Sequence, residues 1–201
     1  MLIKKRLIDK PERRTPNASS SRPLCVLLAL MLAPAIAVPV LAVEPILDEY
    51  QVKAAFLFNF AKFVEWPAAA FKNAAEPISI CVFGGNPFGS LLEDAVKGKT
   101  VGGRGFVVRE VSNSQQTANC HVLFVNASGR KRVPTRALLI GLKTGNILTV
   151  GESDDFIANG GVINFKLKDA RVRIEIDAEA AEQANFRISS KLRSLAENAR
   201  K

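Results

Sequence analysis

Four short strand-like runs, set apart by helix-like stretches, constrain this chain more than any other feature. Pro77-Ile78-Ser79-Ile80-Cys81-Val82-Phe83 is almost wholly apolar and closes on Gly84-Gly85, as in a strand buried on both faces. Residues 106–111 form the second run, and Cys120-His121-Val122-Leu123-Phe124-Val125 the third. Ile147-Leu148-Thr149-Val150 is the fourth. Residues 87–96, with proline near the start and Gly98 just past the end, read as a helix, and so do residues 134–142, stopped by Gly145-Asn146. Ahead of all of these, Val52, Ala55, Phe56, Phe60, Phe63 and Val64 recur at helical spacing, which predicts a helix over residues 48–66, capped by Asp48 and stopped by Pro67. Leu57 and Phe58 widen its apolar face, the mark of a core helix rather than of a ligand-stacking one.

From Gly161 the period changes from helical spacing to two. Ile163, Phe165 and Leu167 alternate with polar residues, as do Val172, Ile174 and Ile176, and Lys168-Asp169-Ala170 joins the two runs. That is an antiparallel hairpin with one polar face. Residues 178–184 and 189–199 read as helical. Strands alternating with helices build a mostly parallel sheet covered on both faces. The expected fold is therefore α/β, a three-layer α/β/α sandwich with the antiparallel hairpin at one edge, in a single domain spanning residues 43–201.

The residues ahead of that domain carry a different signal. Lys4, Lys5, Arg6, Lys10, Arg13, Arg14 and Arg22 precede a stretch, residues 24–43, that holds no charge, and Val40 and Ala42 sit at the −3 and −1 positions of a small-residue exit. This reads as an export signal, residues 1–42, removed after Ala42; an uncleaved anchor is the alternative, weakened by Pro34 and Pro39. The whole chain carries 28 Lys+Arg against 19 Asp+Glu, a net charge of +9. Without residues 1–42 the balance is +4, so the basic character concerns export and gives no reason to expect nucleic acid. Cys25 leaves with the leader, and Cys81 and Cys120 enter a compartment where disulfides persist.

No chemistry-bearing motif survives inspection of its context. Gly84-Gly85-Asn86-Pro87-Phe88-Gly89 lies between strand and helix but does not fit a dinucleotide fingerprint, and Gly98-Lys99-Thr100 precedes a strand rather than a helix. His121 is the only histidine, so neither a metal site nor an acid/base pair can be built around it. No serine occupies a nucleophile elbow. Catalytic residues, metal ligands and cofactors are all expected to be absent. In a 2-1-3 strand order, the first and third strands are neighbours, and Cys81 and Cys120 fall within reach of a disulfide. Export favours that bond; two buried free thiols are the alternative.

Several segments together resemble the YfiR family of exported bacterial regulators. The first runs from Tyr50-Gln51-Val52-Lys53-Ala54-Ala55-Phe56 to Val64-Glu65-Trp66-Pro67. It is followed in order by residues 84–89, Gly98-Lys99-Thr100-Val101, Cys120-His121-Val122-Leu123-Phe124, residues 160–165, residues 171–177 and Ser190-Lys191-Leu192. The resemblance implies a non-enzymatic periplasmic protein of α/β/α fold. Such a protein binds and represses the periplasmic sensor domain of an inner-membrane diguanylate cyclase, keeping cyclic di-GMP and biofilm formation low. It also implies that Cys81 pairs with Cys120. Some relatives carry a second cysteine pair where this chain has Ile157 and Asn164, so that bond is not carried over. Other partners implied are a sensor kinase, an outer-membrane lipoprotein and a second copy of the chain in a homodimer.

A repressor must hold one signalling state of its partner more tightly than another. The hairpin offers Arg171, Arg173 and Glu175 on its polar face, and Ile163 joins them if its end of the strand is exposed. A solvated edge is the alternative reading of those residues. From a different class, a periplasmic small-molecule binding protein serving a sensor kinase or transporter would place its ligand at the carboxyl ends of the strands, lined by the 84–89 loop.

Overall fold

A computed structural model describes residues 44–127, 135–142 and 145–200, all within one compact unit, Leu41–Lys201. The leader over residues 1–42, with its exit at Ala42, lies outside the described residues. The chain opens with helix α1 (Glu44–Phe63) and a two-residue strand β1 (Val64–Glu65). It continues through β2 (Ile78–Phe83), α2 (Leu91–Val96), β3 (Phe106–Val111), β4 (Val122–Val125), α3 (Thr135–Leu142) and β5 (Leu148–Gly151). The hairpin β6 (Ile163–Lys168) and β7 (Arg171–Asp177) follows, then α4 (Ala178–Gln183), β8 (Arg187–Ile188), α5 (Ser190–Ser194) and β9 (Ala196–Arg200).

Seven strands form the main sheet in the order β3-β2-β4-β5-β6-β7-β9, and β1 pairs antiparallel with β8 as a separate ribbon. Pairings from β3 through β6 are parallel, β6 and β7 are antiparallel, and β7 and β9 are parallel again. The chain passes from β3 over β2 to β4, the 2-1-3 arrangement in which the first and third strands of the sheet are neighbours.

Alternation along the strands sorts side chains between two cores. Ile78, Ile80 and Val82 of β2, Val122 and Phe124 of β4, and Leu148 and Val150 of β5 face α1, whose Ala54, Leu57, Phe60 and Ala61 are buried against them. Leu92 of α2 and Leu192 of α5 join the same cluster. On the opposite face Cys81, Leu123 and Val125 pack under Leu138 and Leu139 of α3. Phe156, in the turn between β5 and β6, wedges into this second core between Gly151 and Gly161, where a methyl group would lie 2.2 Å and 2.1 Å from its ring.

The structure departs from the sequence expectations at the ends of elements. The first helix stops at Phe63, because Val64 and Glu65 pair with Ile188 and Arg187. The helix expected over residues 87–96 is only Leu91–Val96, since the Asn86 side chain turns the preceding loop by accepting from Phe88 N–H at 2.9 Å. Residues 189–199 are not one helix. After α5 the chain extends into β9, which pairs with β7 from Ile174 to Asp177 and becomes the outermost strand beside the hairpin.

Candidate functional site

Three features of the described residues bear on function: the cysteine bond, a buried charge cluster and the hairpin. Cys81 in β2 and Cys120, just ahead of β4, are joined with their Cα atoms 5.7 Å apart. Both are buried, at 0% and 5% exposure, so this bond fastens core rather than offering an accessible redox pair. His121 follows directly. Its Nδ1 accepts from Ser79 N–H at 3.0 Å, and its ring stacks on Phe71 with centroids 4.5 Å apart. Burial pushes its pKa below the ordinary histidine value, helped by the Arg104 and Arg109 cations and opposed by Glu76 and the Ala70 backbone. A histidine held neutral by a main-chain donor and enclosed by aromatics is structural, as its isolation in the sequence implies.

Near the start of α1, Lys53 lies buried with its ammonium 2.5 Å from Glu49 and 2.7 Å from Glu152, and Tyr50 donates to Glu152 at 3.3 Å. Burial opposes the charge on Lys53, but the hydrogen bonds to Glu152 and Glu49 outweigh it and raise its pKa. Tyr50 is raised as well, by burial and by the Glu152 carboxylate. Sequence reasoning passed over this cluster. A usable signal was present, because Lys53 sits four residues before Leu57 and seven before Phe60 on the most buried stripe of α1, and Glu49 lies four residues ahead of it.

The hairpin places Arg171, Arg173 and Glu175 on one face, opposite Lys168, Lys166 and Asn164 respectively. Arg171 is exposed, and Arg173 and Glu175 are half-buried. Ile163 does not belong with them. It is 0% exposed, pairs with Ile176 across the hairpin and with Val150 of β5, and points into the α1 core, so it cannot touch a partner. Among the open cavities bounded by described residues, one lies between α3, the turn after β5 and the start of α4, and another beside the segments that lead into β2 and β4. The first, of about 240 Å³, is lined by Arg136, Asn159, Asp177 and Glu179 among others, and the second, of about 170 Å³, lies beside Phe71 and His121. Neither is lined by the 84–89 loop, and the larger is smaller than the roughly 300 Å³ at which small-molecule sites usually begin. Among the described residues, no three His, Cys, Asp or Glu side chains are grouped to hold a metal ion, and no helix is long and apolar enough to cross a membrane.

Fold and site together define an α/β/α domain with a mostly parallel sheet, pinned by one buried disulfide and ending in a charged hairpin. The chain belongs to the YfiR/HmsC-like family, which it matches over residues 50–197. A comparison with curated proteins finds no match. Among solved structures it is similar to the crystal structure of a conserved domain protein from Vibrio cholerae O1 biovar El Tor strain N16961, at 13% identity and a TM-score of 0.49. That match covers 75% of this chain and 60% of the Vibrio chain, so this chain spans less than two thirds of that protein's length.

Proposed function

We propose that this chain is a periplasmic, non-enzymatic regulator that binds the periplasmic sensor domain of an inner-membrane diguanylate cyclase and holds it inactive, keeping cyclic di-GMP low. Membership of the YfiR/HmsC-like family over residues 50–197 is the observation that carries this reading. In it, residues 1–42 direct export and are removed, leaving residues 43–201 as the working domain. The Cys81–Cys120 bond then forms in an oxidising compartment. Arg171, Arg173 and Glu175 contact the partner, because they share the polar face of the hairpin away from the core.

Repression of this kind requires differential affinity for the signalling-off state of the partner. Removing the chain from the cell that makes it is expected to raise cyclic di-GMP and biofilm mass, and restoring it reverses both. Unchanged cyclic di-GMP after removal refutes the reading. Charge reversal at Glu175, with the purified sensor domain as titrant, checks the surface separately from the activity.

A further inference from the structure

The last strand, β9, is built from residues that favour a helix. The element ahead of it, α5, starts well: Ser189 caps it by accepting from Leu192 N–H at 3.3 Å, and Leu192 is buried. In the following run, Leu195-Ala196-Glu197-Asn198-Ala199-Arg200, every residue but Asn198 is a strong helix former, and none is β-branched or aromatic. At helical spacing Leu192, Leu195, Ala196 and Ala199 share one face, and Glu197 stands four residues ahead of Lys201 in the favourable order of an ion pair. Leu195 still has helical dihedrals, φ −85° and ψ −13°, and its N–H bonds the Leu192 carbonyl at 3.2 Å. The chain leaves the helix only at Ala196.

The strand it then forms is poorly made. Ala196 meets Ile174 and Asn198 meets Glu175, so Glu197 faces no residue of β7, a bulge inside a strand of five residues. Leu195 is left 49% exposed, whereas one more helical turn would set Ala199 against it. What holds β9 is the edge of β7. Ile174 to Asp177 pair with it in parallel, and without it they would prolong the edge that β7 already leaves open from Arg171 to Arg173. Local preference and tertiary pairing therefore pull residues 196–200 in opposite directions. Such a conflict within one short segment is the mark of an element with two arrangements close in free energy.

We propose that residues 196–200 are a strap with two arrangements: as β9 they cover the edge of β7, and as a continuation of α5 they uncover it. Uncovered, Ile174 to Asp177 offer main-chain donors and acceptors on the same strand that carries Arg173 and Glu175. With those two side chains contacting the sensor domain, as the proposed function has it, the partner competes with β9 for the edge by strand pairing. The strap then gates binding, because the apparent affinity falls with the fraction of molecules that are open. The gate rests on the proposed function; the two arrangements do not.

Two substitutions separate the arrangements in the full chain. Proline is tolerated at an edge-strand bulge but breaks a helix interior, so Glu197→Pro holds the strap as β9. Asn198→Ala replaces the one weak helix former and should raise the ratio of helical to strand forms about threefold. Carbon-13 Cα shifts of Ala196 and Ala199, measured on the exported, disulfide-bonded protein, report the arrangement. The parent should lie between the strand values of Glu197→Pro and the more helical values of Asn198→Ala, and the β7 amides that face β9 should exchange fastest in Asn198→Ala. Strand values shared by all three chains, or helical values shared by all three, overturn the strap. With the purified sensor domain as titrant, Asn198→Ala should bind up to about threefold tighter than the parent and Glu197→Pro more weakly. Equal affinities overturn the gate. If no chain binds, the proposed function fails and the gate with it, while the shifts still decide the strap.

Discussion

Lys53 of α1 and Glu152 beyond β5 meet at 2.7 Å across 99 residues of sequence, with side chains only 6% and 5% exposed. The pair ties the first helix to the carboxyl end of the central sheet. Removing Lys53 alone strands the buried Glu152 carboxylate, whereas removing Lys53 and Glu152 together leaves only the more exposed Glu49 without its partner. Lys53→Met is expected to destabilise the fold by about 3 kcal/mol. The double variant Lys53→Met with Glu152→Leu should lose less than that single change. Urea unfolding of both single variants and the double measures the coupling, and a double loss equal to the sum of the single losses would show that the charges act independently.

The disulfide closes a loop across a sequence separation of 39 residues. In the chain-entropy account, a loop of this size is worth about 4 kcal/mol. Reduction, or replacement of both Cys81 and Cys120 by serine, should lower the denaturation midpoint correspondingly. Unfolding with and without reductant reads this directly, and coincident curves would mean that the bond contributes nothing.

Phe156 fills the gap between Gly151 and Gly161 so closely that a methyl group at either glycine overlaps its ring. Gly161→Ala should therefore cost about 2–3 kcal/mol through overpacking. Shrinking the wedge with Phe156→Leu in the same chain should recover part of that loss. Full additivity of the two changes would mean that they do not meet.

Acidification should weaken the fold through His121. Its folded pKa lies below the ordinary value near 6.5, so the neutral ring is the form that the folded state stabilises. That contribution is complete above about pH 6.5 and is lost progressively as pH falls toward the depressed folded value. Protonation of Nδ1 would also displace the Ser79 N–H. Melting temperature between pH 8 and pH 5, compared with that of His121→Phe, isolates the effect: the variant starts lower but should lose the histidine-linked slope.

The hairpin turn carries Asp169 and Ala170 at φ of 50° and 56°, a left-handed pair in which alanine is out of place. Ala170→Gly should stabilise the protein by about 1 kcal/mol. A thermal shift on a variant altered at no other position checks the gain.

The strand core was legible in the sequence because β2, β4 and β5 are buried on both faces, and their residues advertise it. The cysteine pairing was legible for a related reason: once the strand order is 2-1-3, few other positions let two buried cysteines meet. What the sequence hid depended on contacts made far along the chain. Residues after Ser194 have no alternating pattern that marks a strand, and they extend because β7 offers an open edge. Ile163 looked like a candidate contact because alternation says which residues share a face and not which face another helix covers.

The bond between Cys81 and Cys120 also changes what a single backbone cut can do. Residues 82–119 hold the 84–89 loop, α2 and β3, and both of their ends are held by the same pair of sulfurs. A protease that nicks the chain anywhere in that interval leaves one covalent molecule, with β2 still fastened beside β4. Only a reductant can then release the fragments. In an oxidising compartment, this stretch between the two cysteines is thus the part best insured against being cut apart.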